Sequence, residues 1–278
     1  MLKTRILAAL VGIPIIFICI FVGGWLFLAF IFIVNVFCIH EYLTLCNKYH
    51  PHKAVSIGLE IVFFIVLFLM YKYNPSLILV DEYNSAFLIL MAAVIAILLV
   101  LFALEVYYQQ IEASVARIAV SFLGIIFLPI PFIFMILIGG FFKGPQYLFL
   151  FFVTVWTLDT VAYGIGKKYG KRQLSLISPK KTVEGAVGGL VGGILTAIII
   201  SAVLSLFPVW KAALLGLVIA VIGQFSDIAE SVIKRDANIK DSGSIIPGHG
   251  GVLDRFDSYL FAAPAVYFLI LLLQGSNY

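Results

Sequence analysis

Charged side chains are scarce in this sequence. They make up 12% of its 278 residues, whereas hydrophobic residues make up 63%. Soluble domains usually carry about 25% charged residues, so this composition excludes an ordinary soluble domain. The formal net charge of +4 is small, and we expect no nucleic-acid partner. The lipid bilayer is the expected solvent.

Several catalytic and metal-binding motifs are also missing. The three cysteines lack Cys-x-x-Cys spacing, which argues against a zinc site or a disulfide framework. The glycines of residues 164–170 fit neither the dinucleotide fingerprint nor the P-loop. His40 and Glu41 begin a His-Glu-x-x-His motif, but Thr44 stands in place of the second histidine. A metalloprotease is therefore excluded.

Long apolar runs are abundant, and each is close to the roughly 20 residues that a membrane-spanning helix needs. Cutting them at Gly, Pro and charge clusters predicts an all-α, polytopic integral membrane protein of about nine helices. We expect one membrane domain over 1–278, with generic helices in 1–110 that serve packing or dimer contact, and an active site in 145–273. The predicted spans are 6–22, 25–45, 56–72, 86–106, 116–138, 145–166, 183–205, 211–234 and 257–273.

The distribution of Lys and Arg predicts the orientation of these spans. With the N-terminus in the cytoplasm, 15 of the 18 basic residues lie on the cytoplasmic side, and Lys72, Lys143 and Lys211 lie opposite. This asymmetry follows the positive-inside rule. It places loop 167–182 and the charged segment 231–257 in the cytoplasm, and a bacterial plasma membrane is the expected location.

Acidic residues inside apolar spans are costly and usually functional. Asp227 and Glu230 are three residues apart, and Asp254 and Asp257 repeat this spacing at the start of the last span. A hairpin of the two helices brings the pairs together. Since Mg2+ often binds one or two carboxylates plus phosphates and water, Asp227 and Asp254 are the first candidates for its ligands. Structural ion pairs with nearby Lys and Arg residues are the alternative.

Two loops between spans carry phosphate-binding chemistry. At a helix start, the SPKKT-x-E-G segment combines Ser178, Lys180, Lys181, Thr182 and Glu184 with free backbone N–H groups. A favourable charge against the helix dipole is the simpler interpretation of the glutamate. The glycine pairs at 188–189 and 192–193 favour close packing within the subunit over a dimer interface.

The second loop contains Pro247-Gly248-His249-Gly250-Gly251, a turn that lets the backbone approach a ligand. His249 could hydrogen-bond a phosphate or transfer a proton.

Residues 231–257 read S-x-I-K-R-x-x-x-x-K-D-x-G-x-x-I-P-x-H-G-G-V-x-D-R-F-D. This segment resembles the signature of the phosphatidate cytidylyltransferases, also called CDP-diacylglycerol synthases. The run from Asp159 to Lys167 and the SPKKT-x-E-G segment are similar to sequences of the same family. The resemblance covers at least the C-terminal half of the chain.

The resemblance implies transfer of CMP from CTP to phosphatidic acid, with release of pyrophosphate. It implies Mg2+, with a second cation conceivable nearby, and a polar cavity open to the cytoplasm and to membrane lipids. The implied catalytic residues are Asp227, Lys234, Arg235, His249 and Asp254. The implied metal ligands are Asp227, Glu230, Asp254 and Asp257. The implied substrate-binding residues are Asp159, Ser178, Lys180, Lys181, Thr182, Glu184, Lys240, Asp241, Gly250, Gly251 and Arg255.

Two other classes fit less well. A secondary transporter also uses intramembrane acids, but the N-terminal half has no counterpart of segment 231–257. A CDP-alcohol phosphotransferase is expected to carry a D-G-x-x-A-R motif, which this sequence lacks.

Overall fold

The computed structural model describes residues 2–73, 83–109, 111–246, 248 and 250–274. In these ranges the regular structure is helical, apart from two isolated backbone bridges and one 3-10 turn at Cys46–Tyr49. The predicted all-α class is confirmed. The helices are α1 Leu2–Val22, α2 Gly24–Leu45, α3 Lys53–Tyr73, α4 Tyr83–Tyr108, α5 Ser114–Phe127, α6 Pro129–Gly139, α7 Gly144–Tyr169, α8 Val183–Val203, α9 Val209–Asp236, α10 Leu253–Phe256 and α11 Tyr259–Gln274.

Eight helical segments within the described ranges are long and apolar enough to cross a membrane. Two of them each comprise two helices, since α5 joins α6 at Leu128 and α10 joins α11 through Asp257 and Ser258. A shorter apolar helix, Ala8–Val22, corresponds to the first predicted span. The remaining eight predicted spans each coincide with one long segment, which confirms the polytopic architecture.

The first two spans are separate helices. Gly23 and Gly24 take φ values of 65° and 53°, a left-handed backbone that interrupts the α-helical path. Residues with a Cβ rarely adopt this conformation. The two glycines therefore end α1 and redirect the chain into α2.

The last span begins earlier than the predicted residue 257. A single helical turn, α10, starts at Leu253 and precedes α11. Ser226 of α9 holds the junction: its hydroxyl donates to the Asp257 carbonyl and accepts the Phe261 N–H at 3.2 Å. The expected hairpin between α9 and the last span is thereby confirmed.

Aromatic rings fill the centre of the helix bundle. The Phe152 ring lies 4.7 Å from that of Tyr259 and 6.4 Å from that of Phe256, between ring centroids. Phe132 of α6 lies 5.8 Å from Phe256. Because lipid tails are as apolar as these side chains, close packing rather than water exclusion holds such helices together. The cluster fixes α7 and α6 against the α10–α11 junction.

The glycines of α8 allow α7 to approach closely within the same chain. A Cβ at Gly189 would lie 2.9 Å from both the Leu158 carbonyl oxygen and the Ala162 Cβ. A Cβ at Gly193 would contact Ala220 of α9 at 3.3 Å. The expectation that these glycines pack helices within the subunit is confirmed.

Replacement Gly189→Ala should lower the melting temperature of the detergent-purified protein, because the added methyl group would clash with α7 at a cost of about 1–3 kcal/mol. Gly164→Ala is the matched control, since a Cβ there meets no described atom within 4 Å. Its melting temperature should stay the same or rise slightly. Equal behaviour of the two variants would contradict the proposed helix seam.

Candidate active site

A cavity of about 580 Å³ lies between α1, α2 and α7 and ends at α10. The lining residues from α1, α2 and α7 are apolar or small, apart from Asp159 and Thr160 of α7. The charged lining residues are Asp159 of α7, which lies near Asp257, together with Asp254, Arg255 and Asp257 at the start of the last span. Four residues predicted for the site thus meet at one end of an otherwise apolar chamber.

Asp254 and Lys234 form the buried centre of the site. The Lys234 ammonium group donates to Asp254 Oδ1 at 2.8 Å and also pairs with Glu230 one turn earlier in α9. All three residues are less than 10% exposed. In such a low-dielectric setting an unpaired charge is strongly unfavourable, so the lysine fixes both carboxylates in place.

Asp254 also organises the loop that joins α9 to α10, which we call the α9–α10 loop. Its Oδ2 accepts the N–H groups of Ser242 and Gly251, each at 2.8 Å. With the Lys234 bond, three of the roughly four acceptor positions of this carboxylate are filled. Among the described residues no donor fills the last position, on Oδ1, and a further ligand could bind there.

No side chain fits at Gly250 or Gly251, because the Asp254 carboxylate and its neighbours occupy the adjacent space. Gly250 has φ 84°, and a Cβ there would lie 2.6 Å from Asp254 Oδ2. A Cβ at Gly251 would overlap Ser242 Oγ and one carboxylate oxygen of Glu41. These glycines therefore let the loop pack closely around Asp254. Their contact with substrate stays a prediction.

A second group of carboxylates lies around Asp257. Its charge interacts with those of Asp159, Asp227 and Glu230, so the four acids occupy one region. Lys181, from the loop before α8, forms an ion pair with Asp227. The structure thus brings the loop before α8 to the acidic residues of α9.

The SPKKT-x-E-G segment starts α8 as predicted. Thr182 Oγ1 accepts the Gly185 N–H at 3.1 Å, which satisfies one free donor of the helix start. Glu184 Oε2 accepts the N–H groups of Lys171 and Arg172 at 3.0 and 3.2 Å. The Glu184 carboxylate therefore closes the loop after α7, a structural contact distinct from the interaction with the helix dipole that the sequence suggested.

Arg235 links this loop to α9. Its guanidinium donates to the carbonyl oxygens of Ile177 at 3.2 Å and Ile239 at 2.9 Å.

Arg235 is exposed, as are Lys180, Lys240, Asp241 and Arg255, whereas Ser178 is half-buried. A Cβ on Gly250 would lie 3.6 Å from that of Asp241, so this residue borders the glycine turn. His249 lies outside the described residues.

The donor set suits a magnesium ion with few protein ligands. Among the described residues, no group of three or more His, Cys, Asp or Glu side chains converges on one point. Carboxylates that crowd together at low dielectric repel one another, and a cation offsets that repulsion. Because Mg2+ commonly retains water and phosphate oxygens, one or two carboxylates from among Asp227, Asp254 and Asp257 are enough to fit it chemically.

Two residues of the site, Glu41 and Ser242, are absent from the set predicted from the sequence. Glu41 of α2 accepts hydrogen bonds from the α9–α10 loop, and the Ser242 hydroxyl donates to it at 2.9 Å. An acid within an apolar span is the sequence signal that could have identified Glu41. No such signal distinguishes a serine in a loop.

Comparison with known proteins identifies the family of this chain. The model of the cytidylyltransferase family matches residues 3–273. A phosphatidate cytidylyltransferase of Synechocystis is 35% identical over 298 aligned residues, which cover 97% of this chain and 96% of that protein. One from Bacillus subtilis is 45% identical over 131 residues, which cover 46% of this chain and 49% of that protein. The chain belongs to the cytidylyltransferase family.

Replacement Gly251→Ala should strongly reduce activity, because the methyl group would displace Ser242 and Glu41 and move Asp254. A displacement of about 1 Å at a catalytic group can lower a rate about 100-fold. Gly58→Ala in α3 is the control, since a Cβ there has no described neighbour within 4 Å. Initial rates of both purified variants would measure the difference. A fully active Gly251→Ala protein would refute this account of the loop.

Proposed function

We propose that this protein transfers CMP from CTP to phosphatidic acid, forming CDP-diacylglycerol and pyrophosphate. The observation that carries the proposal is the cavity, which is apolar along α1, α2 and α7 and acidic and basic at its α10 end. An apolar wall suits the acyl chains of a lipid, and the charged end suits its phosphate and a nucleotide. The family relationship supports the same reaction.

In this reaction a phosphate oxygen of phosphatidic acid forms a bond to the α-phosphorus of CTP. The bond from that phosphorus to the β-phosphate bridging oxygen breaks, and pyrophosphate leaves. Because the nucleophile is already an anion, the protein mainly has to position two anionic substrates and stabilise the developing charge. Arg255 at the cavity end, and Lys180 and Lys181 before α8, supply positive charge for this purpose.

Other residues act by holding these groups. Lys234 orients Asp254 through their buried ion pair. Arg235 ties the loop before α8 to the end of α9 through its two carbonyl contacts. One or two of Asp227, Asp254 and Asp257 would hold the divalent cation, while Glu230, also predicted as a ligand, pairs with Lys234. When bound, that cation supplies Lewis-acid polarisation of the phosphate oxygens.

The proposal places the charged end of the cavity on the cytoplasmic side, where CTP is available. The positive-inside asymmetry supports this orientation. Homologues from bacteria support a bacterial membrane location. Contact between two copies through the helices of residues 1–110 remains a prediction.

Purified protein supplied with phosphatidic acid, labelled CTP and Mg2+ should form labelled lipid and pyrophosphate, and EDTA should stop the reaction. Asp227→Asn should reduce turnover at least about 100-fold, because it removes a proposed cation ligand. Asp236→Asn is the matched control: this partly exposed acid pairs with Lys48 at 2.7 Å at the end of α9. It should retain nearly full activity. A folded wild-type protein that makes no labelled lipid would refute the proposed reaction.

Single cysteines can test the orientation, because the native Cys19, Cys38 and Cys46 are buried. In spheroplasts, a membrane-impermeant maleimide should label Phe142→Cys, in the loop between α6 and α7. It should label Lys180→Cys only after the membrane is opened. The opposite pattern would place the charged end of the cavity outside the cell.

A further inference from the structure

The α9–α10 loop is attached to a helix from the first part of the chain. Glu41 lies near the end of α2 and is 2% exposed. Its Oε1 accepts the Val252 N–H at 3.0 Å, and its Oε2 accepts the Leu253 N–H at 2.8 Å. Oε2 also accepts the Ser242 hydroxyl at 2.9 Å. Three donors from both ends of the loop therefore converge on one buried carboxylate.

This arrangement reaches Asp254 by two routes. Ser242, held by Glu41, accepts the Asp254 N–H at 3.3 Å and donates its own N–H to Asp254 Oδ2. Val252 and Leu253, also held by Glu41, directly precede Asp254 in the chain. The position of the Asp254 carboxylate thus depends on that of Glu41. Because buried side chains in a protein interior are closely packed, a small shift of the Glu41 carboxylate would also move that of Asp254.

We propose that Glu41 is a positioning residue for nucleotidyl transfer: it holds the α9–α10 loop so that Asp254 faces the cavity in its reactive place. The proposal rests on the proposed function for its catalytic part. It also gives the helices before residue 110 a part in the active site, where the sequence indicated only packing or dimer contact.

The bonds to Glu41 require an acceptor on both carboxylate oxygens. Glutamine has nearly the same shape but replaces one oxygen with an NH2 group, which donates instead of accepting. At least one backbone N–H of the loop would then face another donor in a buried site. Losing a buried hydrogen bond in this way is more costly than losing one at a surface. Glu41→Gln is therefore a conservative change that should loosen the loop.

Glu105→Gln is the matched control. Glu105 is likewise a buried acid, 8% exposed, and it accepts a 2.7 Å bond from the Arg117 guanidinium between α4 and α5. It lies outside the network of Glu41, Ser242 and Asp254. The same substitution there tests whether loss of any buried carboxylate has the expected effects.

Two measurements on the detergent-purified full chain test the proposal. The kcat for CMP transfer should fall about 10- to 100-fold in Glu41→Gln, in line with the cost of misplacing a catalytic group. Trypsin cleavage after the exposed Lys240 should become several-fold faster, because the loop opens more often. Glu105→Gln should change neither kcat nor this cleavage rate, even if it lowers the melting temperature as much as Glu41→Gln does.

A double variant adds a test that a purely structural role would not pass. If Glu41 and Ser242 act through the same loop, the combined loss of kcat in Glu41→Gln with Ser242→Ala should be smaller than the product of the single losses. Multiplicative losses, a wild-type kcat and cleavage rate in Glu41→Gln, or equal effects in Glu105→Gln would each overturn the proposal. If the wild-type protein transfers no CMP, the cleavage rates still decide whether Glu41 holds the loop.

Discussion

The candidate site depends on the hydrogen bonds and the ion pair that the buried Asp254 carboxylate forms. Asp254 is buried, and an ionised group buried without partners is strongly unfavourable. Lys234 and two backbone N–H groups of the α9–α10 loop supply its partners. These bonds tie Ser242 and Gly251 to the Asp254 carboxylate, which lines the cavity. The apolar helices provide the surroundings that make each of these bonds strong.

The composition of the chain defines most of the fold. Apolar runs of the length of a bilayer, cut by glycine, proline and charge, predict the helices because lipid leaves helices as the simplest way to satisfy the backbone. The boundaries depend on local chemistry that a hydropathy pattern does not contain. Gly23 and Gly24 end a helix by their backbone angles, and Ser226 makes the interruption before α11 by bonding to the free groups at Asp257 and Phe261.

The candidate site, like the fold, is predicted by sequence only in part. Spacing of acids and a long family signature predict Asp227, Lys234 and Asp254, since these positions are set within one segment of the sequence. Glu41 belongs to the site through a contact that spans 212 positions. No local pattern contains such a pairing, because it is created by the packing of α2 beside α10. Sequence motifs therefore describe the reactive segment, and tertiary structure identifies what holds it.

The distance along the chain between Glu41 and its partners has a consequence for biosynthesis. During translation α2 enters the membrane long before the residues that bind its carboxylate have been made. Until then the carboxylate lacks those partners. The hydrogen bonds to Glu41 can be completed only after Val252 and Leu253 have been made, so a nascent chain that ends before them lacks the attachment of α2 to the α9–α10 loop.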